Sequence, residues 1–138
     1  VRSNQQQDTE LEEEFFMQSI REKALGTLSG GTKQKVNATL AFLFNPPILI
    51  LDEPTAGLDP VATEILKDKI EREKKKNKLI IVTSHVLSDL EELTTHVAYM
   101  QEGKLLFKKD LSTLQQETGE KKLSRAIADI MRRHAAVK

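Results

Sequence analysis

The stretch ILILDEPTAGLDP, Ile48 to Pro60, sets two adjacent carboxylates, Asp52 and Glu53, directly after a short apolar run. Ile48 to Leu51 suits a strand covered on both faces, as in a parallel sheet. Ligands of open α/β sheets bind outside the carboxyl ends of the strands, where this pair lies. A carboxylate there can hold Mg²⁺, usually through water. Its neighbour points elsewhere and can orient or deprotonate a water. The pair therefore suits phosphoryl transfer to water, which is mainly positioning and charge stabilisation. Two acids that only cap a strand and open a loop are the plainer reading of the same residues.

Two further places could handle phosphate. A second apolar run, Leu79 to Thr83, delivers Ser84 and His85 to the same edge of a sheet. A histidine there can donate a hydrogen bond to a phosphate oxygen, or can simply begin a helix. Ser29, Gly30 and Gly31 put bare backbone N–H groups at a helix N-terminus, which is an anion site or an ordinary cap. Gly26 and Gly31 share the G-x-x-x-x-G spacing of a phosphate-binding loop. Thr32 precedes Lys33, however, and that loop needs Lys and then Ser or Thr. No G-x-x-x-x-G-K-[ST] occurs in the 138 residues.

The elements that must position these groups follow from periodicity and breakers. Val1 to Gln7 is polar and expected to fray. Thr9 to Ala24 reads as a helix, with Leu11, Phe15, Phe16 and Ile20 inward and the acids outward, stopped by Gly26. Ser29 caps a second helix, Gly31 to Phe44, with Val36, Leu40, Leu43 and Phe44 as its apolar face, ended by Asn45-Pro46-Pro47. Val61 to Glu73 is a third helix, with Val61, Ile65, Leu66 and Ile70 on one face and a basic KKKNK at its end. Val86 to Leu93 is a short helix. Val97 to Gln101 and Lys104 to Phe107 flank Glu102-Gly103 as a hairpin. Leu111 to Glu117 is a helical turn or two. Leu123 to Arg133 is amphipathic, with Leu123, Ile127, Ile130 and Met131 inward. The order gives an α/β fold with a partly parallel sheet.

Composition narrows the class. The formal net charge is zero, so no bulk electrostatic partner is implied. Charge is segregated, with six acids against one base over Asp8–Glu22 and nine bases against four acids over Lys104–Lys138. Two solvated faces account for this; an acidic partner or a lipid surface at one end is the sharper reading. The absence of cysteine excludes disulfides and thiolate metal sites. The apolar runs are far too short to span a bilayer.

Taken in order, LSGG at 28–31, LDEPTAGLD at 51–59 and TSH at 83–85 resemble the ATP-binding subunits of ABC transporters, over about Leu11 to Thr118. The resemblance implies a partial P-loop NTPase (RecA-like) sheet with part of the ABC helical subdomain. It divides the chain into 1–45 (helical subdomain with the signature motif), 46–118 (C-terminal half of the ATPase core) and 119–138 (a helical extension). It further implies that Ser29, Gly30, Gly31 and Gln34 bind nucleotide held by a partner subunit. Asp52 is then the Walker B aspartate that supports Mg²⁺, Glu53 the general base, and His85 the switch histidine. Ala56, Gly57, Leu58 and Asp59 form the D-loop that crosses the dimer interface.

The Walker A loop and the glutamine loop of that family are missing. The expectation is therefore a truncated nucleotide-binding domain, inactive alone, whose parent binds ATP and Mg²⁺. Such a parent pairs with a second ATP-binding subunit, identical or not, and with transmembrane permease subunits on the cytoplasmic face of the membrane. No nucleic acid is expected, and the fragment is expected to self-associate through uncovered apolar surface. An exporter-type motor subunit fits the GLDP loop and the hairpin best. A soluble ATPase acting on ribosomes or DNA, and a non-enzymatic binding fragment, are the competing readings.

Overall fold

The computed structural model describes residues 6–136. Most of the expected frayed start, Val1 to Gln7, lies outside the described residues. The chain divides into two compact units, Val1–Thr83 and Ser84–Lys138. Gly30–Leu43 (α2) packs against Ile48–Asp52 (β1), and Leu111–Thr118 (α5) packs against Leu123–Ala136 (α6).

In the first unit, β1 pairs in parallel with Leu79–Thr83 (β2), in the register Ile48↔Leu79 through Asp52↔Thr83. The crossover between them is Pro60–Lys74 (α3). Leu49 and Leu51 are buried on one face, in a core that also holds Ala38 and Phe42 of α2 and Ala62, Leu66 and Ile70 of α3. The opposite face is open: Ile48, Ile50, Leu79 and Ile81 are all exposed. The two strands were expected to be covered on both faces, and only one face is. Alternation at period two puts every second apolar residue of each strand on the bare side.

The helices also depart from their expected faces. The first, Glu10–Glu14 (α1), stops ten residues short of Ala24. Its last turn holds acids and no bases, which opposes the helix dipole. Phe16 then turns left-handed (φ 53°) and is 85% exposed, while Phe15 and Met17 on either side are buried. The chain continues in 3₁₀ turns at Met17–Ile20 and Leu25–Thr27. In α2 the buried residues are Ala38, Thr39 and Phe42, and Leu40 is exposed. In α3, Val61 is exposed, while Lys69 and Glu73 are fully buried beside Leu66 and Ile70.

An ion network explains the burial of Lys69 and Glu73. The Lys69 ammonium donates to Asp8 and Glu10, both at 2.5 Å, and pairs with Glu73 at 3.0 Å. Arg72 reaches Glu10 at 2.9 Å and Glu14 at 3.2 Å. Lys76 and Lys78 complete the shell around Glu73. The acids of the first segment, expected to face water, are thus drawn onto α3. Burial opposes the charge on Lys69, but hydrogen bonds to Asp8, Glu10 and Glu73 outweigh it and hold the ammonium above its ordinary range. Burial likewise opposes the charge on Glu73, yet its three lysines hold it at about 2.

The second unit follows the sequence closely. His96–Gln101 (β3) and Lys104–Asp110 (β4) pair antiparallel. Glu102 (φ 50°) and Gly103 (φ 74°) form the turn, and two positive φ angles match the right-handed twist of a hairpin. Leu87–Leu93 (α4) precedes the hairpin. Leu114 of α5 and Leu123, Ala126 and Ile127 of α6 make the core, packed by Leu90, Val97, Tyr99, Phe107, Leu111 and Ile130. Met131, expected inward, is 44% exposed. No helix among the described residues is long and apolar enough to cross a membrane.

Candidate functional site

β1 ends at Asp52, and its partner at the end of β2 is Thr83. The Thr83 hydroxyl donates to Asp52 Oδ1. Asp52 is exposed at the strand's carboxyl end. A carboxylate there beside a hydroxyl is the hard oxygen donor set that suits Mg²⁺ held partly through water. The residues therefore fit the metal that the sequence implies.

Glu53 leaves the strand in a left-handed conformation (φ 46°), uncommon for a residue with a side chain. Such a backbone costs on the order of 1–3 kcal/mol and persists only where its surroundings hold it. Both of its peptide groups are held. The Glu53 N–H donates to the Thr83 carbonyl at 2.9 Å, extending the sheet by one bond. The Glu53 carbonyl accepts from the Ala56 N–H at 3.1 Å and from Gln34 Nε2, also at 3.1 Å. The side chain is half-buried and leaves the strand end in a direction that a regular strand could not give it.

The D-loop follows. Ala56, Gly57 and Asp59 are exposed and Leu58 is half-buried. Gly57 is left-handed (φ 74°), a conformation that needs glycine. Asp59 caps α3 by accepting from the Ala62 N–H at 2.9 Å, and it pairs with Lys35 of α2 at 3.0 Å. The Ala62 bond and the Lys35 contact hold its carboxyl below the usual range.

Ser29 is the N-cap of α2, and its hydroxyl accepts from the Thr32 N–H at 3.2 Å. Ser29 and Gly30 are exposed, and nothing lies within 4 Å of where a Gly30 side chain would begin. Ser29 takes one N–H of this first turn, and a helix start of this kind is where an anion can be received. Gly31 differs: a β-carbon there would sit 2.8 Å from the Gly57 carbonyl oxygen. The first turn of α2 and the loop at Gly57 therefore approach each other closely.

Gln34 turns away from this open end. Its amide donates to the carbonyls of Glu53 and Pro54, at 3.1 and 2.9 Å. The expected placement beside Ser29, Gly30 and Gly31 as a ligand of a partner's nucleotide does not describe where its side chain points. His85 stands at the start of the second unit, exposed, where Ser84 Oγ accepts from the Val86 N–H at 3.0 Å. Motif reading missed Lys35, whose sequence signal is a basic residue in the second turn after the Ser29 cap.

The profile of the ABC transporter family matches residues 3–56. Over this part the chain is similar to the ATP-binding proteins of ABC transporters. It is 42% identical over 91 residues to the bacitracin transport ATP-binding protein BcrA of Bacillus licheniformis, covering 65% of this chain and 30% of BcrA. It is 41% identical over 81 residues to the human phospholipid-transporting ATPase ABCA3, covering 59% of this chain and 5% of that protein. The chain thus spans well under two thirds of these relatives. Among solved structures, an ATP-binding subunit of an ABC transporter superposes with a TM-score of 0.81 at 28% identity, over 88% of this chain and 51% of the other. A dimeric ATP-binding cassette in a post-hydrolysis state, bound to ADP and Pi, gives a TM-score of 0.57 at 26% identity over 62% of this chain. These relatives agree with the mixed α/β architecture described above.

Proposed function

We propose that this chain supplies the Walker B, D-loop and signature parts of the ATP-hydrolysing motor of an ABC exporter. The observation that carries the reading is the strand end: Asp52 aligned on Thr83, and Glu53 held left-handed beside it. In this role Asp52 would hold Mg²⁺ through water, and bound Mg²⁺ would supply charge neutralisation at the phosphate. Glu53 accepts a proton from the attacking water. His85 donates a hydrogen bond to the γ-phosphate. The open helix start at Ser29, Gly30 and Gly31 binds the γ-phosphate of ATP seated on a partner chain. The phosphate loop comes from outside these 138 residues, so the 138 residues alone turn over no ATP.

The dimeric ADP-bound relative supports a pair of ATP-binding chains, and the bacitracin transport protein BcrA supports a transport role. Transmembrane permease subunits are then the other partners, and the motor works at the cytoplasmic face of the membrane. Subunit mixing tests the composite site. In the natural gene product, Ser29→Arg and Glu53→Gln are each expected to abolish turnover. Mixed in one dimer, they leave one site with both defects and the other intact, so turnover returns. If the mixture stays as inactive as either variant, the signature does not act in trans and the proposal fails.

A further inference from the structure

Gln34 lies on the first turns of α2, yet it spends its side chain on a loop nineteen residues away. A primary amide has two N–H donors on one nitrogen. Here Nε2 meets two carbonyl oxygens, those of Glu53 and Pro54. The first belongs to the residue whose backbone is left-handed. Pro54 has no N–H and is buried, so the chain cannot tie itself down there through its own amide. Lys35, the next residue of α2, reaches the far end of the same loop at Asp59. Gly31, one turn earlier, lies against the Gly57 carbonyl. Three points on one face of α2 thus touch residues 53–59 at its beginning, middle and end.

We infer that Gln34 is a positioning residue for Glu53. Its amide clamps the carbonyls of Glu53 and Pro54, holds the left-handed backbone, and so fixes the direction in which the Glu53 carboxylate leaves the strand. The inference rests on reading Glu53 as the general base. It departs from the in-trans nucleotide role that the motif suggests for Gln34. The consequence is mechanical: the signature helix and the catalytic carboxylate move as one body, because the signature helix carries the clamp.

Two measurements test this. The first needs no ATP and uses the 138-residue chain. Gln34→Ala and the near-isosteric Gln34→Glu both remove the two donors. Each is expected to speed amide hydrogen exchange at Glu53 and Ala56 at least tenfold, while amides in the middle of α2 keep wild-type protection. Unchanged exchange at Glu53 and Ala56 would overturn the clamp. Gln34→Glu covers the case in which the alanine variant unfolds, since it keeps the side-chain volume. The second measurement uses the natural gene product. Gln34→Ala is expected to lower kcat at least tenfold with KM for MgATP within twofold, because a positioning loss acts on the chemical step. A raised KM with unchanged kcat would overturn the inference in favour of nucleotide contact. Should the wild-type product turn over no ATP, the ATPase reading falls and the exchange result alone judges the clamp.

Discussion

Neighbouring glycines in the first turn of α2 are expected to respond oppositely to the same substitution. Gly30→Ala adds a methyl group into open space, and Gly31→Ala adds one 2.8 Å from the Gly57 carbonyl oxygen. Both positions begin α2. Alanine gains up to about 1 kcal/mol over glycine in a helix, with less at its first turn. Gly30→Ala should therefore be neutral or mildly stabilising. At Gly31 the ordinary contact distance begins at 3.4 Å, so chain or loop must give by several tenths of an ångström. The obstacle is backbone, and the loop is pinned by the Ala56 N–H on Glu53 and the Leu58 N–H on Thr55. Forced overpacking of this kind costs about 1–3 kcal/mol. After subtracting the helix gain, Gly31→Ala should lose about 1–2 kcal/mol, or roughly 4–8 °C in Tm for a chain of this size. Both substitutions remove one glycine from the unfolded chain, so their difference isolates the contact. Urea unfolding followed by far-UV circular dichroism measures it. Equal midpoints for the two variants would refute the close approach of α2 to the loop at Gly57.

Further outcomes follow from the charged groups. Glu73 is held at about 2 in the folded chain against an ordinary 4.5, so its stabilisation is present above about pH 4.5 and is lost as pH falls toward 2. Glu73→Gln should flatten that part of the acid unfolding profile. Lys69 is raised, so its contribution persists below its ordinary 10.5 and fades only at higher pH. Lys69→Met strands Asp8, Glu10 and Glu73 within 4.8 Å of one another and should cost about 3–5 kcal/mol at pH 7. Asp59→Ala removes the α3 cap and should lower Tm, whereas Asp59→Asn keeps most of the cap. Thermal melts of the two variants check the difference.

Motif residues were legible in the sequence because breakers and caps place them. Ser29 before two glycines fixes the start of α2, the apolar run fixes β1, and Asp52-Glu53 must follow it. The Glu102-Gly103 hairpin was legible for the same reason, since its turn chemistry is local. Faces were less legible. Leu40 and Val61 lie at positions that periodicity assigns to a core, and both are exposed. Lys69 and Glu73 lie at positions that their charge assigns to water, and both are buried. Only the arrival of Asp8 and Glu10 from sixty residues away makes that burial possible, and no local pattern encodes it. Gln34 is the same case within the site. Its partners are backbone carbonyls, which leave no trace in residue type.

Glu53 carries the account's central claim. The decisive measurement is steady-state MgATP hydrolysis by the natural gene product, wild-type against Glu53→Gln, beside the 138-residue chain alone. General-base loss predicts a fall of roughly 10²–10⁴-fold in kcat for Glu53→Gln, with no turnover by the 138 residues. Wild-type turnover by Glu53→Gln, or robust turnover by the 138 residues alone, would contradict it.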